Sequence, residues 1–251
     1  MDRDEFQPDD SAWRGVYAAG AAGALLTALL IPFQMIVFVA WPPPSRGTAA
    51  DWFAFFGANP LHGLLSLDLP MMLEQALVIP IVVALYRLLR RSGESTMALA
   101  LAGWLVGATL FITSNTAFEM LSLSNGYAAA TTDTARAAFL AAGEAMLATY
   151  WGQGTSFVFG YLLTSLAGVM VGVVMLRSHV FSRLAAYGAI AGNVLGLALF
   201  LPGIGIGLSL LSVVILWVWY LLVGLRLVRL ARSRSIRTVS TGRPAVSMAA
   251  G

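Results

Sequence analysis

The sequence contains no cysteine and no lysine, only two histidines, and few charges of either sign. The missing cysteines exclude disulfides, thiolate metal sites, iron–sulfur clusters and cysteine nucleophiles. The two histidines, His62 and His179, fall on opposite sides of the hydrophobic segments described below, which argues against their pairing as axial haem ligands. No H-E-x-x-H run marks a zinc peptidase, and no G-x-S-x-G elbow marks a serine hydrolase. Gly203, Gly205 and Gly207 alternate, but no strand precedes them, so they form no nucleotide-binding fingerprint. Charged residues make up 11% of the 251 residues, against about 25% in soluble domains.

What fills the chain instead is apolar: 59% hydrophobic residues and a mean hydropathy of +0.80. That balance excludes a water-facing surface and fits a chain solvated by lipid. The isoelectric point near 9.6 carries no nucleic-acid signal, because the basic residues flank hydrophobic segments rather than form a patch. All 15 basic residues are arginine, and alanine and glycine abound. This is the usage of a high-GC bacterium, so the expected location is the bacterial inner membrane.

A helix rises about 1.5 Å per residue, so about 20 apolar residues cross the hydrocarbon core. Six segments meet that length: 16–40, 67–89, 97–121, 155–176, 184–201 and 204–225. The reading is an all-α fold, a polytopic six-helix transmembrane bundle over residues 16–228. An acidic tail precedes it over 1–15, and a basic tail, expected to be disordered, follows over 229–251. Asp2, Asp4, Glu5, Asp9 and Asp10 open the chain where a signal peptide would be basic, so the first segment is expected to stay as an anchor.

Thirteen of the arginines flank one side of these segments, and only Arg46 and Arg136 flank the other. The positive-inside rule therefore predicts cytoplasmic termini. Aromatic residues near segment ends, Trp13, Trp41 and Tyr220 among them, read as interfacial anchors. On the non-cytoplasmic side two long loops are predicted. Pro42-Pro43-Pro44 ends the first helix, and Trp52, Phe53, Phe55 and Phe56 beyond it are expected on the membrane surface. Residues 133–151 carry apolar side chains at three- and four-residue spacing, which predicts an amphipathic helix on the outer face or an outward extension of the fourth span.

Four stretches carry a family resemblance: NPLHGLLSLD from Asn59, IPIVVALYR from Ile79, SNTAFEMLSLSNGYAAATT from Ser114 and VMLRSHVFSRLAAYGAIA from Val174. Over residues 59–228 the chain resembles a group of bacterial multi-pass membrane proteins catalogued as domain of unknown function 4386. The resemblance implies six helices and supplies no activity or site residue.

Ionisable groups in a bilayer are costly, about 2.5–3.5 kcal/mol each on insertion scales, which makes them functional candidates. Glu74 sits in the second span, about 20 Å along the helix from Arg87. Asp68 lies nearer the outer surface. Pro80 leaves the Ala76 carbonyl without its helical donor, next to Glu74 and Gln75, and broken helices beside polar residues build many transporter sites. Asn115 and Glu119 are expected one turn apart on one face of the third span. With His62 in the preceding loop they suggest a polar site near the outer mouth, with Glu144 as a cap. Hard oxygen donors plus one imidazole suit a divalent cation or a proton relay. The spacing matches no recognised ligand motif, so metal and cofactor stay unassigned, and no catalytic residue is identified.

Glycines four apart at Gly103 and Gly107, Gly168 and Gly172, and Gly188, Gly192 and Gly196 read as close helix packing, with homo-oligomerisation as a further use. Asn193 is expected to hydrogen-bond a neighbouring helix. Three functional classes remain open. The first is a small transporter-like protein with a polar site in the outer half of the bundle. The second is a non-catalytic membrane module such as an assembly factor, a sensor or a subunit of a larger complex. The last is an intramembrane enzyme using the outer carboxylates.

Overall fold

A computed structural model describes residues 12–44, 47–151 and 154–232; the two tails' remaining residues, with the disorder expected of the basic one, lie outside them. Ten α-helices follow in order: α1 (Arg14–Ala40), α2 (Ala49–Ala58), α3 (Pro60–Ser66), α4 (Leu69–Leu89), α5 (Glu94–Thr113), α6 (Ala117–Ala129), α7 (Asp133–Trp151), α8 (Thr155–Arg177), α9 (Arg183–Gly196) and α10 (Gly205–Arg232). No strand occurs among the described residues. Six stretches are long and apolar enough to span a bilayer: Arg14–Ala40, Leu69–Ser92, Glu94–Ala129, Thr155–Arg177, Arg183–Phe200 and Gly205–Arg232.

Those spans bury only 22–39% of their most apolar windows inside the protein. Side chains such as Leu29, Val39, Leu99 and Ile206 stand exposed. In water this much contiguous apolar surface would drive association; in lipid it is solvated. By helix length and hydropathy the chain is a multi-pass membrane protein.

The spanning helices close into a ring. Each packs on its neighbours in the order α1, α4, α5, α8, α9, α10 and back to α1, and the α4–α5 seam is the thinnest. Small residues set the close seams. A Cβ on Gly23 would stand 2.5 Å from the Leu77 carbonyl oxygen, and one on Gly20 would stand 3.0 Å from that of Pro80, so α1 lies backbone-to-backbone on α4. Pro32 inside α1 has no amide for the Ala28 carbonyl. The Trp217 indole of α10 supplies the missing donor at 2.8 Å, which turns a helix defect into a tie across the ring.

At the end where Arg87, Arg177 and Arg226 lie, the ring is filled by a dense apolar core that includes Leu85, Leu89, Met97, Val174 and Leu227. Arg87 is itself buried there, its guanidinium 5.4 Å from the Trp13 ring centroid. Arg226 Nε donates to the Val180 carbonyl at 2.8 Å, fastening α10 to the α8–α9 turn.

The opposite end carries a cap. Helices α2, α3, α6 and α7 pack together around a second core of Trp52, Phe53, Phe56, Leu67, Met120 and Leu147. The aromatic cluster expected on the membrane surface is therefore largely internal: Trp52 and Phe56 are each 1% exposed, and Phe55 is half-buried. Its partner is α7, whose Gly143 lets Phe53 approach closely. Helix α7 packs on α2 and α6 at the bundle end; it is described to Trp151, and α8 begins at Thr155. The cap's first helix is fixed by a reciprocal capping box between Thr48 and Asp51. Asn59 caps α3 by accepting from the Leu61 and His62 amides.

Candidate functional site

The third span is not continuous. Helix α5 stops at Thr113 and α6 starts at Ala117, so the shared helical face expected for Asn115 and Glu119 does not form. The break is stable because its own side chains take up the freed backbone groups. Thr113 Oγ1 donates to the Leu110 carbonyl at 3.0 Å and Ser114 Oγ to the Phe111 carbonyl at 2.7 Å. Asn115 accepts the Ala117 amide at 2.9 Å and donates through Nδ2 to the Leu67 carbonyl at 2.8 Å. The last bond ties the break to the turn before α4.

That turn is equally specific. Asp68 adopts a left-handed conformation at φ 61°, unusual for a residue with a side chain, and Pro70 sits in the first turn of α4 just after it. The turn aims the Asp68 carboxylate at α1, where Gln34 Nε2 donates to Oδ1 at 2.8 Å.

Two adjoining spaces open around these segments. A vestibule of about 400 Å³ lies at the cap end, lined by Asp68, Met72, the 113–116 break and the head of α8 from Thr155 to Phe157. A cavity of about 250 Å³ continues inside the ring, lined by polar groups from several helices: Gln34, Glu74, Gln75, Tyr161, Asn193, Ser212 and Tyr220. Asp68, Met71 and Phe111 line both spaces, which therefore adjoin.

Within the cavity, Glu74 on α4 lies beside the Tyr220 side chain of α10, and Tyr161 on α8 lies near Ser209. The buried Gln75 Oε1 has no hydrogen-bond partner. Glycines shape the wall: a Cβ on Gly196 would stand 2.9 Å from the Tyr161 hydroxyl. The Asn193 amide bonds back to the Ala189 carbonyl of its own helix at 2.7 Å rather than to a neighbouring helix.

Of the residues singled out from sequence, Asp68, Glu74 and Asn115 come together around the two spaces. His62 and Glu119 line neither. His62 stacks on Trp41 at 4.5 Å between ring centroids. Glu119 is exposed in the first turn of α6, where a carboxylate suits the helix N-terminus. Glu144 does not cover the polar site: its Oε1 accepts the Ala49 amide at 2.7 Å and so holds the start of α2. Pro80 lies below the cavity, its carbonyl against Gly20. Among the described residues no three of His, Asp and Glu converge to hold a metal ion.

Sequence reading missed Gln34, Tyr161, Ser212 and the role of Tyr220. Gln34 interrupts an apolar run and was a visible signal. Tyr220 looked like an interfacial anchor, but it is 6% exposed and faces Glu74 inside the ring.

No family model matches the chain, and neither a curated protein nor a solved structure does.

Proposed function

We propose that this chain is a small transporter-like protein of the bacterial inner membrane, binding a small polar solute at Glu74, with both termini in the cytoplasm. Membership of the group catalogued as domain of unknown function 4386 is proposed with it, on the four sequence stretches alone. The observation that carries the functional reading is the pair of adjoining spaces. The Glu74 carboxylate and polar groups from five of the six spanning segments line the inner one, which shares Asp68, Met71 and Phe111 with the vestibule at the cap end. The dense core closes the arginine-flanked end. A site reached from one side and shut on the other is one half of an alternating-access cycle. A packing defect would be apolar and dry instead. The arginine asymmetry supports the orientation, which makes the vestibule the non-cytoplasmic entrance.

The absence of cysteine makes the test direct, since a single introduced thiol has no background. In proteoliposomes, a membrane-impermeant charged methanethiosulfonate is applied from the cap side to Thr155→Cys in the vestibule and Asn193→Cys in the cavity. Both are expected to react, the second more slowly. Modification of T155C with complete inertness of N193C would show that the cavity is closed to water and would end this reading.

A further inference from the structure

We propose that the cap end of the α4–α5 seam is the gate between the vestibule and the Glu74 cavity, and that Asn115 is its latch. This deepens the reading of the cavity as a solute site and rests on it.

The wall common to the two spaces shows which helices must part. It includes Asp68 and Met71 from the α4 side and Phe111 from α5. Any motion of α5 away from α4 therefore opens that wall. Phe111 is 6% exposed, and its ring lies 5.1 Å from Phe157 and 6.3 Å from Tyr161, both on α8. Gly107 and Gly160 bring the same two helices backbone-to-backbone. Phe111 thus belongs to an α5–α8 unit and moves with it.

The seam in front of that unit is the thinnest of the ring. Each of the other five has a glycine on which the neighbouring helix sits. These are Gly23 between α1 and α4, Gly107 between α5 and α8, Gly172 between α8 and α9, Gly192 between α9 and α10, and Gly224 between α10 and α1. Helix α4 contains no glycine, and both glycines of α5 face α8. At the arginine end α4 and α5 are joined through the Arg90–Ser92 turn, and Leu89, Met97 and Ala100 are fully buried there. Toward the cap, Leu73 on α4 and Thr109 on α5 are exposed. Two helices anchored at one end and thinly packed at the other can open as a hinge.

The latch crosses the loose end. Asn115 Nδ2, just after α5, donates to the Leu67 carbonyl, just before α4, at 2.8 Å. Its release leaves the end of α5 intact, because the Thr113 and Ser114 hydroxyls hold the Leu110 and Phe111 carbonyls. One net hydrogen bond shifts a two-state equilibrium by roughly two- to tenfold. That is enough to hold a gate mostly shut while leaving the open form as a minor state.

The test uses the full chain in lipid nanodiscs, with nitroxide pairs on introduced cysteines and distances from double electron–electron resonance. One pair spans the seam, Leu73→Cys with Thr109→Cys. The control spans α5 and α8, Leu105→Cys with Leu162→Cys, both at exposed positions. In the parent background the seam pair is expected to give the broader distance distribution. Asn115→Asp keeps the acceptor for the Ala117 amide and loses the donor to Leu67. It should move the seam pair to longer distances and leave the control pair in place. In proteoliposomes it should raise the rate at which N193C reacts with the impermeant thiol reagent by roughly two- to tenfold. T155C in the vestibule should react at an unchanged rate, which separates gating from the charge of the added carboxylate. A seam pair as narrow as the control in the parent background overturns the gate, and this comparison stands even if N115D does not fold. Equal broadening of both pairs in N115D overturns it too. A reactive N193C that is indifferent to N115D refutes only this inference. An inert N193C beside a reactive T155C removes the solute site and the gate with it.

Discussion

Gln34 in the last third of α1 donates a 2.8 Å hydrogen bond to Asp68 at the head of α4, and Asp68 is one of three residues shared by the vestibule and the inner cavity. The bond therefore holds the wall where the two spaces meet. Hydrogen bonds to charged groups contribute about 1.5–3 kcal/mol, more than neutral ones. Gln34→Leu is expected to lower the stability of the detergent-solubilised protein by about 1–2 kcal/mol on that scale. It should also change the rate at which N193C reacts with the impermeant thiol reagent. Unaltered stability and an unaltered rate would show that Gln34 does not shape the passage.

The glycine spacing separates into two behaviours. Gly107 and Gly160 approach reciprocally across the α5–α8 seam: a Cβ on either would stand 2.9 Å from the other's carbonyl oxygen. Gly103, one turn away and part of the same four-residue pattern, has nothing nearer than 3.9 Å. Gly107→Ala is expected to destabilise by about 1–3 kcal/mol through overpacking. Gly103→Ala should be neutral or gain up to about 1 kcal/mol from helix propensity. Thermal unfolding of the two variants side by side decides it, and equal losses would contradict the seam geometry.

The spans were legible because hydropathy over about 20 residues is a local property that lipid reads directly. The Ser114-Asn115-Thr116 break was not, because each of these residues occurs within membrane helices. Only the distant Leu67 carbonyl, 48 positions earlier, shows why Asn115 leaves the helix there. The aromatic run Trp52–Phe56 was misread for a related reason. A stripe that docks on lipid and one that docks on α7 have the same pattern, and the partner's identity is a tertiary fact. Asp68 and Glu74 were found because charge in an apolar run is conspicuous. His62 and Glu119 were gathered with them on height along the bundle alone, which says nothing about direction around a helix.

The cap's separate core makes a prediction about independence. Trp52→Ala removes a fully buried ring and should cost about 3–5 kcal/mol. Since Trp52 belongs to the cap core and not to the ring core, the loss should be local. Hydrogen exchange is expected to rise over α2, α3, α6 and α7 while the spanning helices stay protected. Uniform loss of protection would mean that cap and ring fold as one unit.

Asp51 provides a pH dependence outside the spans. The Thr48 side chain and then its backbone amide hold the Asp51 carboxyl below its ordinary value of 3.8. A depressed folded value means the capping box stabilises α2 above the ordinary value and loses that contribution as pH falls through the lower folded one. The exposed site makes the effect small. Tryptophan fluorescence of the cap should begin to change below about pH 3.8 in the parent chain. Asp51→Asn, which accepts hydrogen bonds without titrating, should flatten that change. Identical acid profiles would remove the capping box as the cause.

Orientation is testable at two glycines where an added side chain meets nothing within 4 Å: Gly57 in the cap and Gly15 at the start of α1. The thirteen arginines flanking one side favour retention of that side in the cytoplasm, since the basic-residue bias of short loops sets orientation. An impermeant maleimide added to intact cells should therefore label Gly57→Cys and spare Gly15→Cys, and inside-out vesicles should reverse the pattern. The reversed result in intact cells would turn the vestibule toward the cytoplasm. The Glu74 cavity would then take up solutes from the cell interior first.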